Sequence, residues 1–146
     1  MNVTEVIKSK IDGAFYGWSG NTVFKLANGQ LWEQDAYAYK YYYAYCPNVK
    51  ITDVNGTYVM EVDGVSENIP VRRVHDFIES NIDGEFKGWD GKTVFNLVNG
   101  QIWQQSTYAY YYHYAYRPKV LIYLSKGGLR LKVEGVNEII DVKKIK

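Results

Sequence analysis

The stretch from Ile11 to Val74 is written again, without a gap, from Ile82 to Ile145, at an offset of 71 residues and with about half of the positions identical. A chain built this way must solve one folding problem twice, in roughly 65–70 residues each time. Two copies are too few for a solenoid, which needs about three or more stacked units to bury a continuous core. Two small domains are expected, residues 1–74 as a first β-barrel copy and 75–146 as a second.

Within each copy the side chains favour strands. Valine, isoleucine, threonine, tyrosine and tryptophan dominate, and the punctuation is Asn28-Gly29, Asn55-Gly56, Asn99-Gly100 and Gly127-Gly128. Asn-Gly suits the left-handed positions of a two-residue hairpin loop. Five or six short strands in so short a chain predict a small antiparallel barrel of the SH3-like kind, because closure hides the edges an open sheet exposes. Each copy opens on a run that reads as one or two helical turns. Thr4 and Asp76 are placed as N-caps, and Gly13 and Gly84 stand where such helices would stop. The segment from Arg72 to Asn81 has neither proline nor glycine and reads as a docked connector.

If Asn28-Gly29 forms a two-residue loop, Leu26 pairs with Leu31 and Lys25 with Trp32. Phe24, Leu26 and Leu31 then face the core, while Gln30, Trp32 and Gln34 face outward. The second copy repeats the pattern, with Gln101, Trp103 and Gln105 outward. A tryptophan among glutamines on an outer face marks a candidate contact surface.

The most unusual segment follows. Tyr37, Tyr39, Tyr41, Tyr43 and Tyr45 occupy every second position, as do Tyr108, Tyr110, Tyr112, Tyr114 and Tyr116. A strand places each set on one face. The other parity carries Ala38, Lys40, Tyr42 and Ala44, or Ala109, Tyr111, His113 and Ala115. Such a run is long for one strand of a small barrel, so a bend or bulge is expected near Tyr39 to Tyr42. The rings either pack across strands or line an aromatic groove for an extended peptide, a sugar or a stacked base.

No catalytic constellation stands beside them. His75 and His113 have no counterparts of their own kind in the other copy, and with Cys46 they do not make a His/Cys metal set. Asp12, Asp83, Glu67 and Glu138 recur but lie next to turns, where carboxylates accept local backbone bonds. The glycines of "DGAFYGWSG" lack the Lys-Ser/Thr of a phosphate loop. No cofactor, metal or catalytic residue is assigned. A net charge of +1 supplies no broad field, which argues against nucleic acid and anionic membrane as partners. The opening residues lack the apolar stretch of a secretory signal, and one cysteine offers no disulfide framework, so a cytoplasmic location is expected.

The signature D-G-x-F-x-G-W-x-G-x-T-x-F-x-L-x-N-G-Q-x-W-x-Q, followed by alternating tyrosines, a proline and V-x-G-V, is carried by Gly13, Phe15, Gly17, Trp18, Asn28, Gly29, Gln30, Trp32, Gln34, Pro47 and their partners in the second copy. It resembles an uncharacterised small β-rich domain of bacterial hypothetical proteins, including products of mobile integron gene cassettes. The resemblance implies a compact β-domain with a tendency to self-associate, and it brings no particular biochemical activity with it.

Three functions are therefore expected, in order. The first is a non-enzymatic module that binds a protein, peptide or small ligand through Trp32, Gln34, Tyr39, Tyr41, Tyr43, Trp103, Gln105, Tyr110, Tyr112 and Tyr114. The second is a homo-oligomer whose aromatic faces are its interface. The third is a weak single-stranded nucleic-acid binder.

Overall fold

The structure, a computed structural model, describes residues 3–146. The chain divides into two compact units, Met1–His75 and Asp76–Lys146. The first contains β1 (Val3–Lys10), β2 (Ala14–Trp18), β3 (Val23–Lys25), β4 (Leu31–Gln34), β5 (Lys40–Tyr45), β6 (Asn48–Val54), β7 (Thr57–Val62) and β8 (Ile69–Val74). Six of these form an antiparallel sheet in the order β1-β6-β7-β8-β4-β3, and β2 pairs with β5 in a separate two-stranded sheet.

The second unit contains β9 (Phe77–Asn81), β10 (Glu85–Phe86), β11 (Val94–Asn96), β12 (Ile102–Gln105), β13 (Ala115–Tyr116), β14 (Lys119–Ser125), β15 (Gly128–Val133) and β16 (Ile139–Lys144). Its sheet runs β9-β14-β15-β16-β12-β11, the same order as in the first unit, with β10 on β13. Every sheet draws its strands from one copy, so among the described residues no strand is exchanged between them. In each unit the two outer strands of the six-stranded sheet meet at one end, through an isolated bridge of Ile11 with Leu26 or of Ile82 with Leu97.

Two expectations fail at the start of each copy. The predicted helical turns are strands, β1 and β9. The first holds β6 over seven paired positions and the second holds β14 over five. The β-branched residues Val3, Thr4, Val6 and Ile7 are poor helix formers, and a lone helical turn or two is marginal in water. A ladder with a neighbour satisfies the same backbone groups better. The predicted connector is likewise absent. Arg72 to Asn81 spans the end of β8 and all of β9, leaving His75 and Asp76 between them.

The hairpin register also differs from expectation, and this difference matters most. Phe24 pairs with Trp32 and Lys25 with Leu31, while the Leu26 amide donates to the Gln30 carbonyl at 2.9 Å. The loop therefore holds three residues, Ala27, Asn28 and Gly29, of which only Gly29 has a positive φ, at 92°. That is a type I turn completed by one left-handed residue. Asn28 Oδ1 accepts from the Gln30 amide at 2.9 Å and fixes the turn. Asn99 does the same for Gln101. At Asn55-Gly56 both residues have positive φ, as a two-residue loop requires. In the second copy that loop is Lys126-Gly127, one residue earlier than the glycine pair suggested.

A slip of one residue exchanges the two faces of a strand. Trp32 consequently joins Phe24 and Leu26 inside, with Ile11, Phe15, Trp18, Ile51, Met60 and Ile69. Trp103 joins Phe86, Trp89, Phe95, Leu97, Ile122 and Leu131 in the second unit.

Candidate functional site

Trp32 is 1% exposed and Trp103 5%, so neither is a surface contact. Burying an indole requires a partner for its N–H. Trp32 Nε1 donates to Gln30 Oε1 at 3.0 Å, and Trp103 Nε1 to Gln101 Oε1 at the same distance. Around Trp32 lie the Tyr58 ring, 5.0 Å between centroids, and the Arg73 guanidinium at 5.9 Å.

Gln34 and Gln105 are buried too, and each makes four hydrogen bonds. Gln34 Oε1 accepts from the amides of Gly20 at 2.8 Å and Thr22 at 3.4 Å, while its Nε2 donates to the carbonyls of Ala36 and Ala38, both at 2.9 Å. Gln105 repeats this with Gly91, Thr93, Thr107 and Ala109. The amide uses its full donor and acceptor capacity. The N-G-Q-x-W-x-Q signature is thus a structural device: asparagine shapes the loop, the first glutamine receives the indole, and the last ties two chain segments together.

One of those segments begins the tyrosine row. The Gln34→Ala change strips partners from two amides and two carbonyls in a buried site, and is expected to cost about 2–4 kcal/mol. Urea unfolding measures it, and amide exchange should accelerate at Ala36 to Ala38.

The tyrosine rows behave as the alternation predicts. In the first unit the five rings are 54–84% exposed, and in the second 52–77%. The intervening residues turn inward: Ala38 and Tyr42 pack against the first core, and Ala109, Tyr111 and Ala115 against the second. Ala38, Ala109 and Ala115 therefore serve their own unit's packing. His113 lies on this inner parity, its ring 6.4 Å from that of Phe86 and 6.5 Å from that of Tyr111.

The expected bulge is present. The pairing of β2 with β5 shifts register between Phe15 and Gly17, so Tyr42 and Tyr43 together oppose Tyr16. Pairing covers only part of each row. Tyr37 and Tyr39 precede β5, and the second row is held by β13 and by an isolated bridge of Trp89 with Tyr111. Exposure alternates along the whole of both rows nonetheless.

The two rows differ in their neighbours. Tyr16, 41% exposed, lies 5.4 Å from Tyr43 ring to ring and widens the first aromatic surface. Sequence reasoning missed it because it is not part of the alternation. The second copy has Lys87 at that position, 3.9 Å from Glu85. Tyr114 donates to Glu85 Oε1 at 3.4 Å, and the carboxylate's charge raises the pKa of the phenol above its ordinary value. Ionisation of Tyr114 is expected at higher pH than for a free tyrosine, and Glu85→Gln should bring it back. Because the folded pKa is the raised one, this contribution to stability is complete below the ordinary tyrosine pKa and is lost as pH climbs through the raised value. Phenolate absorbance during an alkaline titration reads it directly.

Other charges along the rows lie in ion pairs. Lys40 sits 3.4 Å from Glu67, and Arg117 sits 3.9 Å from Asp83. Glu33, which is buried, accepts from Arg72 Nε at 3.0 Å on the cross-strand pair of β4 and β8; Gln104 and Lys143 replace this pair in the second unit. A shallow depression of about 370 Å³ in the second unit is lined by Thr107, Lys126, Arg130 and Asp141. Its polar groups engage one another, with Arg130 3.7 Å from Asp141 and Thr107 Oγ1 3.0 Å from the same carboxylate. Cys46 is half-buried, its Sγ accepting from the Gly13 amide at 3.4 Å.

Among the described residues no group of three His, Cys, Asp or Glu side chains is placed to hold a metal ion, and no helix is long and apolar enough to cross a membrane. No protein-family model, curated protein or solved structure matches the chain.

Proposed function

We propose that this chain is a binding module whose contact surfaces are its two rows of tyrosine rings, one on each unit, with Tyr16 extending the first. One observation carries the reading: ten tyrosines of one parity are each more than half exposed, while Ala38, Tyr42, Ala109, Tyr111 and Ala115 of the other parity pack against the cores. Single exposed aromatics are ordinary, but contiguous rows of them on a folded domain mark contact surfaces. Tyrosine suits this use, since a rigid ring supplies contact area at little entropic cost and its hydroxyl bonds either way. Tyr39, Tyr41, Tyr43, Tyr110, Tyr112 and Tyr114 carry the contact. Trp32, Trp103, Gln34 and Gln105 support it from within.

We place the fold in the same proposal. Each six-stranded sheet curls so that its first and last strands meet at Ile11–Leu26 or Ile82–Leu97, which supports a pair of SH3-like barrels of the kind borne by integron cassettes. The neutralised charges along the rows favour an uncharged ligand over a polyanion.

The test is capture of the chain on arrays of neutral glycans and of proline-rich and extended peptides. The variant Tyr39→Thr/Tyr41→Thr/Tyr43→Thr, together with its equivalent at Tyr110, Tyr112 and Tyr114, should lose capture at least ten-fold with its melting temperature held. Threonine preserves strand preference while deleting the ring. Unchanged capture in both variants would end the proposal.

A further inference from the structure

We propose that the occupant of a tyrosine row is the tyrosine row of a second copy of this chain. The inference rests on reading the rows as a contact surface and goes further by naming the partner. It has three supports.

The first is spacing. Along an extended chain, same-face side chains recur about every 6.6–6.8 Å. A polyproline helix advances about 3.1 Å per residue, so its groups drift out of step over several rings. Another extended segment with the same two-residue period keeps step along each unbroken stretch of a row, which the bulge opposite Tyr16 interrupts once in the first. This chain carries two such segments, Tyr37 to Tyr45 and Tyr108 to Tyr116.

The second is area. A tyrosine contributes about 150–250 Å² when buried. Five rings, each more than half exposed, therefore offer roughly 500–800 Å² per row. A stable interface takes about 800 Å² from each partner. One row approaches that size.

The third is self-complementarity. A twofold interface brings a surface against itself, so any unpaired charge meets its own kind. Here Lys40, Lys87 and Arg117 lie beside Glu67, Glu85 and Asp83. Phenol hydroxyls both donate and accept, so a row opposed to a row satisfies its own hydroxyls. Offset or edge-to-face rings then add attraction beyond the buried area.

Light scattering on the full chain across a wide concentration range tests this. The expected result is a mass at least twice that of the monomer, falling to the monomer mass in the six-site variant Tyr39→Thr/Tyr41→Thr/Tyr43→Thr/Tyr110→Thr/Tyr112→Thr/Tyr114→Thr, with an unchanged far-ultraviolet circular dichroism spectrum. A wild-type chain that stays monomeric throughout overturns the inference, as does a six-site variant that still assembles. The array experiment separates the two levels. Monomeric protein whose captured ligand is lost in the row variants overturns self-association alone, and monomeric protein whose capture ignores the rows overturns both.

Discussion

Trp103→Ala is expected to lower unfolding stability by about 3–5 kcal/mol, the range for deleting a large aromatic from a packed core. Trp32→Ala should cost the same. Both indoles lie against neighbours within their own unit: Phe24 and Tyr58 for the first, Phe95 across the strand pair for the second. Each alanine variant also leaves a glutamine oxygen, on Gln30 or Gln101, without its indole donor. Urea unfolding followed by circular dichroism gives the loss. Tyr41→Thr or Tyr112→Thr, at equally aromatic positions, should change stability by less than about 1 kcal/mol because their rings face solvent. Tryptophan variants that unfold like wild type would mean that the indoles are outside, and the assignment of the contact surface would revert to them.

The second large effect is expected at Gly17 and Gly88. A Cβ on Gly17 would stand 1.8 Å from the carbonyl oxygen of Lys40, and one on Gly88 would stand 1.9 Å from that of Tyr111. These are backbone atoms of the tyrosine rows, so no side chain can swing aside. Both glycines also have positive φ, 92° and 94°. Left-handed strain of about 1–2 kcal/mol and overpacking of about 1–3 kcal/mol place the cost of alanine at roughly 2–5 kcal/mol. Gly13→Ala is the matched control. Its φ is 99° with nothing within 4 Å of the added carbon, so it pays the strain alone. Equal losses at Gly13 and Gly17 in chemical denaturation would show that the close approach of the row to β2 contributes nothing.

Much of the architecture was legible in the residues. The repeat, the strand-rich composition and the tyrosine parity all follow from side-chain chemistry with short reach, and the structure has two like-ordered units with one face of each row exposed. The opening segments misled because polar residues interrupt β1 and β9 in a way that resembles a helical stripe. Their partners, β6 and β14, are more than 30 residues away, and a local reading does not weigh them.

The tryptophan face was misread for a narrower reason. Asn-Gly serves two-residue and three-residue loops alike, and the choice between them decides which downstream side chains share a face with Phe24, although Leu31 on the opposite face is buried as well. The glutamines reinforced the error. Gln34 and Gln105 share the tryptophans' parity, and amides usually signal water, yet these two spend all their hydrogen-bonding capacity inside the protein. What identifies such a glutamine is the presence of orphaned backbone groups nearby, which no linear pattern displays.

The division of each row into an inward and an outward parity separates two kinds of inheritance. Substitutions at Ala38, Tyr42, Ala109 or Tyr111 disturb a core, whereas those at the ten outward tyrosines leave it intact. Around the rows the copies have already diverged, with Tyr16 against Lys87 and Ala14 against Glu85. A duplicated scaffold of this design lets the surface of one row change while the other stays as it was, and neither change puts the fold at risk.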